Sequence, residues 1–281
     1  MKAVKYAFAV AAALLSTAAS AEWYEARTNH FIVYSQGKRA DTIAFAERLE
    51  RFDNALRIIQ RQPHEVAVPD PAKVVIFRFG DDRDIGELAG SPGVAGFYIP
   101  RAAYSVAFTP VRQHRAIGSA ERVEDKSAMS AETVLFHEYT HHFMLRNFPA
   151  TYPGWYIEGF AELNSTIDLR PDGSFVVGKP ANHRSYDLFQ MQQLPVRKLL
   201  DQNYKFVVAE ENLQKYSMGW LLSHYLTFNK SRTGQLASYL KLVGEGKGSL
   251  TAAETAFGDL NALDAELRKY KSTNLPAIEI I

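Results

Sequence analysis

Residues 134–143 read VLFHEYTHHF, a run that places three histidines and a glutamate among apolar side chains. Ser130 is a typical N-cap residue and Glu132 falls in the first turn after it, so the sequence predicts a helix from Ala131 to about Asn147. Polar side chains on an inward-facing helix surface carry a desolvation cost. Either a hydrogen-bond network or a metal ion must offset that cost.

His137 and His141 lie four residues apart, so their rings sit on one helix face and can reach a single ion. Val134 and Leu145 fall on the same stripe, as does Phe148, and we expect this stripe to face the core. The alternative is a pair of core histidines that are satisfied by hydrogen bonds alone.

Glu138 directly follows the first histidine of the pair and completes the pattern H-E-x-x-H. In this pattern two histidines bind zinc, and the glutamate takes a proton from a metal-bound water. The longer pattern H-E-x-x-H-x-x-G-x-x-H fails, because Met144 and Asn147 stand where it needs glycine and histidine.

A second helix is expected over residues 155–168, after Pro149 and Pro153 interrupt the first helical pattern. It carries Glu158 and Glu162 four residues apart, a spacing at which like charges repel each other. A nearby cation would explain the pair; the alternative is a solvated acidic face.

HEYTH followed by WYIEGFAEL resembles the gluzincin metallopeptidases, in particular the zinc aminopeptidases related to leukotriene A4 hydrolase. In layout the chain is similar to small exported bacterial proteins with a peptidase MA-like domain. The resemblance covers about residues 130–230. It implies an α+β, thermolysin-like zincin fold, with a mixed α/β front lobe, a mainly helical rear lobe and the metal site between them.

The resemblance also implies roles for the two glutamates of the second helix. Glu158 would be the third zinc ligand beside His137 and His141, with water in the fourth position. Glu162 would hold the other ring nitrogen of a histidine ligand. The cofactor expected from this resemblance is a zinc ion, Zn2+.

Tyr216 begins the segment YSMGWLLSHYL, which resembles a sequence segment of the zinc aminopeptidases. In that family the tyrosine of this segment donates a hydrogen bond to the oxyanion. The pattern predicts a helix over residues 217–229, and Gly219 would allow another backbone to approach closely. His224 is an alternative donor. A tyrosine buried against Trp220 is the alternative without catalysis.

The zinc aminopeptidases carry a G-x-M-E-N segment whose glutamate binds the free amino group of the substrate. Residues 93–98, GVAGFY, contain glycines but no acid, so strict aminopeptidase specificity is not predicted. An edge strand between Ala95 and Phe108 could bind a peptide by strand addition.

The chain outside the motifs predicts a mixed α/β lobe over residues 22–125 and a mainly helical lobe over residues 126–281. Strands are expected over 30–35, 73–79, 95–99 and 104–108, and further helices over 41–60 and 233–243, with two short helices after Ser249. The segment DDRD at residues 81–84 is expected to be a solvated loop or a helix start.

Composition narrows the classes of function. The 281 residues are 47% hydrophobic and 22% charged, which is typical of a globular protein. The chain contains no cysteine, which excludes disulfides, thiolate-bound zinc and a catalytic thiol. Basic and acidic residues number 32 and 31, so no nucleic acid partner is expected.

Residues 1–21 contain the three regions of a signal peptide: two lysines, an apolar run over residues 7–15, and small residues before a cleavage site after Ala21. We therefore expect a bacterial periplasmic or secreted protein. No later apolar run reaches the roughly 20 residues that a membrane-spanning helix needs.

Other histidines are expected to be structural. His142 lies about 100° round the helix from His141 and cannot easily share its ion. His30, His64 and His114 stand alone in the sequence, and so does His183.

These features together predict an exported zinc metallopeptidase that hydrolyses a peptide or protein substrate. Two alternatives stay open: a non-catalytic binding protein of the cell envelope, and a hydrolase that acts on another carbonyl substrate. The intact Glu138 argues against the binding protein, since a module without chemistry does not need that acid.

Overall fold

The computed structural model describes residues 22–64, 67–91, 94, 96–114 and 129–281. The expected signal peptide lies outside the described residues, as do Gly93 and Ala95 of the glycine-rich segment and the expected lobe boundary at residue 125. None of the helices in the described ranges combines the length and the apolar character that crossing a bilayer requires.

The front of the molecule is a five-stranded sheet with the strand order β1-β2-β3-β5-β4. Its strands are β1 (Tyr24–Arg27), β2 (Phe31–Ser35), β3 (Val74–Asp81), β4 (Phe97–Ile99) and β5 (Val106–Arg112). The three central strands are parallel, and both edge strands run antiparallel to their neighbours. The side of these strands that faces α1 is buried, whereas the other side carries half-buried aromatic residues such as Phe77 and Phe108.

Two helices belong to this sheet. The first, α1 (Arg39–Ile59), follows β2, and the second, α2 (Asp82–Ala89), follows β3. A capping box between Asp81 and Asp84 starts α2, so the helix start predicted at residues 81–84 is confirmed.

The rest of the chain is mainly helical. It contains α3 (Ala131–Asn147), α4 (Gly154–Ser165), α5 (Ser185–Phe189), α6 (Val196–Leu200), α7 (Ala209–Phe228), α8 (Gln235–Gly244), α9 (Ser249–Phe257) and α10 (Leu260–Tyr270). A small antiparallel sheet joins β6 (Asp168–Leu169), β7 (Phe175–Val177) and β8 (Ile278–Ile280). The α+β class predicted from the sequence is therefore confirmed.

Helix α3 lies between two hydrophobic cores. Phe136 and Phe143 belong to the core formed by α1 and the large sheet, and the Phe136 ring stacks on Phe52 with centroids 3.9 Å apart. Met144 belongs to the second core, which α4 and α7 share with the C-terminal helices. Residues on α3 therefore lie at the boundary of the two cores.

The buried face of α3 differs from the predicted one. The helix buries Leu135, Phe136, Tyr139 and Phe143, whereas Leu145 is 70% exposed. The stripe that carries the histidines was wrongly expected to face the core. The stripe beside it holds more and larger apolar groups, so burying that stripe removes more apolar surface from water.

Two helix boundaries also differ from the predicted ones. Helix α7 begins at Ala209 rather than after Tyr216, because two acidic residues in its first turn favour an earlier start. Helix α4 ends at Ser165 rather than Asp168, and the Ser165 and Thr166 hydroxyls each donate a hydrogen bond to a carbonyl of its last turn.

Helices α4 and α7 cross with their backbones in close contact. A Cβ atom at Gly159 would lie 2.4 Å from the Gly219 carbonyl oxygen and 2.5 Å from the Ser223 Oγ atom. Distances this short are excluded for real side chains, so the crossing requires glycine at this point. The close approach predicted at Gly219 is confirmed.

Candidate metal centre

Three side chains that the sequence nominated as ligands converge on one point. The Nε2 atoms of His137 and His141 lie 3.1 Å apart, and the Glu158 Oε2 atom lies 3.3 and 3.5 Å from them. Ligand atoms around a tetrahedral zinc with bonds of about 2.0–2.1 Å are separated by about 3.3 Å. The donor set and its spacing therefore fit a zinc ion.

The carboxylates of Glu158 and Glu162 favour a positive charge at the histidine pair. Burial would lower the pKa of His137, but the Glu158 and Glu162 carboxylates raise it to about 9. Burial would raise the pKa of Glu158, yet His137 and His141 hold it well below its usual range. A proton on His137 or a metal ion can supply the positive charge.

Hydrogen bonds do not satisfy every histidine atom here. The buried Nδ1 atom of His141 has no hydrogen-bond partner among the described residues. Leaving such an atom unsatisfied costs about 1–3 kcal/mol. A metal ion bound at the Nε2 atoms would leave this Nδ1 atom unsatisfied as well, so the cost arises from the position of the His141 ring and is the same with either kind of partner at Nε2.

Glu162 lies behind the cluster and is 1% exposed. Its Oε1 atom lies 3.4 Å from the His137 Nδ1 atom, and Arg184 donates hydrogen bonds of 2.6 and 3.1 Å to its two oxygens. The His183 Nε2 atom lies 3.0 Å from Oε2. Burial would raise the pKa of Glu162, but His137, His183 and Arg184 hold it well below its usual range.

These contacts change two interpretations from the sequence. A solvated acidic face on α4 is wrong, because Glu162 is buried and Arg184 provides the nearby cation. His183 does not stand apart from the site, since it contacts the same carboxylate. Sequence spacing could not connect either residue with Glu162, because an irregular segment and a small sheet separate them along the chain.

Lys215 is a second cation that the sequence did not nominate. Its Nζ atom lies 3.5 Å from the Glu158 Oε1 atom, the oxygen that does not face the histidines. Glu158 therefore presents one oxygen to the histidine pair and the other to an ammonium group. The position of Lys215 directly before Tyr216 is the only signal in the sequence that could have drawn attention to this lysine.

Glu138 lines the cleft in which the cluster lies. The cleft has a volume of about 370 Å³ and also contains His137, His141, Glu158 and Tyr216 in its wall. Glu138 further borders a small crevice beside strand β4. The acid that the motif assigns to proton transfer thus lies between the histidine pair and an edge of the large sheet.

Tyr216 faces the same cleft from α7. Its ring centroid lies 6.3 Å from that of His137, and its ring is flanked by Arg184 at 5.1 Å and Lys215 at 5.0 Å. Burial, followed by the Glu158 charge, raises the pKa of Tyr216. No described residue shares a hydrogen bond with its hydroxyl group, which leaves that donor available in the cleft.

His224 cannot replace Tyr216 as a donor. It is fully buried, and its two ring nitrogens lie 2.8 Å from the Tyr270 hydroxyl and 2.9 Å from the Gly178 carbonyl. The alternative that assigned the donor role to His224 is wrong, because both nitrogens already have partners away from the cleft.

Three other histidines have hydrogen-bond partners outside the cluster of His137, His141 and Glu158. His142 Nδ1 lies 3.1 Å from the Tyr98 hydroxyl, and burial lowers the pKa of His142 to about 4. His30 lies 2.8 Å from a Glu50 oxygen in a buried network. His114 is exposed and lies 3.0 Å from an Asp81 oxygen.

Comparisons with known proteins leave the site to be interpreted from its own residues. No protein-family model matches this chain. No curated protein shows significant similarity to it either. The geometry of the three nominated ligands and their neighbours is therefore the basis for assigning a function.

Proposed function

We propose that this chain is an exported, zinc-dependent metallopeptidase of gluzincin type with a thermolysin-like arrangement of its lobes. His137, His141 and Glu158 would hold the zinc ion. The observation that carries the proposal is the triangle of their ligand atoms, with sides of 3.1, 3.3 and 3.5 Å. When bound, zinc would polarise the scissile carbonyl and make a water molecule more acidic.

The chain itself would provide the proton transfers. The Glu138 carboxylate would accept a proton from the attacking water and deliver it to the nitrogen of the leaving amine. The Tyr216 hydroxyl would donate a hydrogen bond to the oxygen that becomes negative. Glu162 would accept a hydrogen bond from His137 Nδ1, which fixes the tautomer and orientation of that ring.

A peptide substrate is favoured by strand β4. This strand pairs with β5 on one side, and its other edge is unpaired within the described ranges. It borders the same crevice as Glu138. An extended peptide that adds to the free edge would form backbone hydrogen bonds close to the catalytic acid, which other carbonyl substrates could not do.

Zinc content and peptide cleavage test the proposal. We expect about one zinc per purified chain, its loss in His137→Ala and His141→Ala, and cleavage of a mixed peptide library by the wild-type protein. Glu138→Gln should keep the metal but lose turnover, because an amide cannot accept the proton. Wild-type protein that binds no supplied zinc would refute the metal centre, and an active Glu138→Gln variant would refute the assigned base.

A further inference from the structure

The two oxygens of the Glu158 carboxylate have different surroundings. Oε2 lies 3.3 and 3.5 Å from the Nε2 atoms of His137 and His141. Oε1 lies 3.5 Å from the Lys215 Nζ atom, and among the described residues Lys215 is the only lysine or arginine that pairs with Glu158. The surroundings of this side chain therefore distinguish two atoms that are chemically equivalent.

The fold holds Lys215 beside this carboxylate. Lys215 lies four residues before Gly219, and Glu158 directly precedes Gly159. The close contact of these two glycines at the crossing of α4 and α7 brings the two charges together. The Lys215 Nζ atom also lies over the ring of Tyr216, 5.0 Å from its centroid. Because the face of an aromatic ring attracts cations, this contact favours the same position of the ammonium group.

A glutamate side chain by itself does not determine how many of its oxygens bind a metal ion. Its terminal torsion is broad and roughly two-fold, so the carboxylate can turn to offer one oxygen or both. Two oxygens on zinc would fill the position that a catalytic site keeps open for water. An ammonium group beside Oε1 opposes this rotation, because the turn would separate two opposite charges in a partly buried site.

We propose that Lys215 is a positioning residue that limits Glu158 to one metal-binding oxygen and so keeps the water position of the site open. The inference rests on the proposed metal centre, because it concerns the partner of one of the three ligands. The lysine also places a positive charge beside the ion, which weakens the binding of any divalent cation. A residue that only stabilised the ligand set would have the opposite effect on zinc affinity.

Lys215→Met tests the role apart from catalysis, because it removes the charge and keeps a side chain of similar length. We expect its zinc dissociation constant, measured against a competing chelator, to be about 3- to 10-fold lower than that of the wild type. Acetohydroxamate, which occupies two positions on the ion, should nevertheless bind the zinc-loaded variant about tenfold more weakly, because a second glutamate oxygen fills one of them.

Cobalt substitution reports the number of ligand atoms directly. Four-coordinate cobalt absorbs visible light much more strongly than five-coordinate cobalt, so the wild-type chain should give the strong spectrum and Lys215→Met the weak one. Lys215→Arg keeps a cation beside Glu158 and should retain the strong spectrum. Lys179→Met is a matched control, because Lys179 pairs with Asp168, a carboxylate outside the proposed ligand set. It should match the wild type in all three measurements.

The outcomes distinguish the role of Lys215 from the metal centre. A wild-type chain that binds neither zinc nor cobalt refutes the metal centre, and the role of Lys215 is refuted with it. If the wild type binds both metals, a Lys215→Met variant with the wild-type cobalt spectrum, or with zinc binding no tighter than wild type, would overturn the role of Lys215 and leave the metal centre standing. A weak spectrum in Lys215→Arg would overturn the role of its charge.

Discussion

The two glutamates of α4 should respond differently to glutamine, although they lie one turn apart. Glu162 is 1% exposed and neutralises the guanidinium of Arg184, which is 12% exposed. Removing one partner of a buried ion pair costs about 3–5 kcal/mol, because the other charge remains buried. Asp187 lies 3.8 Å from Arg184 and would retain part of the compensation. We therefore expect Glu162→Gln to cost about 3 kcal/mol.

Glu158→Gln should cost little stability but much zinc affinity. The Glu158 side chain is 19% exposed, and its partners are histidines that can lose their protons and a lysine that is 23% exposed. The metal-free protein should lose only about 1 kcal/mol of stability, as is typical of partly exposed ion pairs. Zinc affinity should instead collapse, whereas Glu162→Gln should weaken it by about 10–100-fold.

Urea unfolding in the presence of EDTA measures the stability of each metal-free variant, and zinc titration against a competing chelator measures its zinc affinity. Unfolding without metal is essential, because bound zinc would add its own binding energy to the stability of each variant. If Glu162→Gln abolished zinc binding and left metal-free stability within 1 kcal/mol of wild type, the two glutamates would have exchanged roles.

Three further substitutions, one of them with a matched control, test separate parts of the site and its support. Tyr216→Phe should lower kcat by about 100-fold with unchanged zinc content and melting temperature; a loss of only a few-fold would exclude the oxyanion role. Tyr139→Phe removes a 2.8 Å hydrogen bond to buried Asp53 and should lower the free energy of unfolding by about 1–3 kcal/mol in urea. An unchanged free energy of unfolding would contradict this prediction. Gly159→Ala should prevent folding or cost several kcal/mol, measured by thermal unfolding, whereas Gly154→Ala, with open space around its Cβ position, should be nearly neutral.

Local signals explain why α3 could be predicted to the residue. The Ser130 Oγ atom accepts a hydrogen bond from the Thr133 amide, as the N-cap pattern indicated. The chain then turns before Pro149, where the predicted helix ends. The side chains at positions 137 and 141 share one face because helix periodicity alone requires it.

Contacts between segments that are distant in the chain explain why other features could not be predicted from the sequence. Arg184 meets Glu162 across an intervening irregular segment and a small sheet, and no periodic pattern links the two. Strand β8 pairs with β7 although about 100 residues separate them, and both strands are only three residues long. The burial of the Phe136 face of α3 rather than the His137 face depends on the sheet, which lies earlier in the chain.

The crossing of α4 and α7 links the fold to the geometry of the site. Gly159 directly follows Glu158 and precedes Glu162 by three residues, and its closest contact is with Gly219, which lies three residues after Tyr216. With a rise of about 1.5 Å per residue, all three functional side chains lie within about 5 Å of the crossing along their helix axes. A Cβ atom at Gly159 would move the helices apart and carry Tyr216 away from both glutamates. A Cβ atom at Gly219 would lie 3.1 Å from the Trp155 carbonyl oxygen, a contact that a shift of a few tenths of an ångström relieves. Gly159, which binds no ligand, therefore sets the width of the proposed active site.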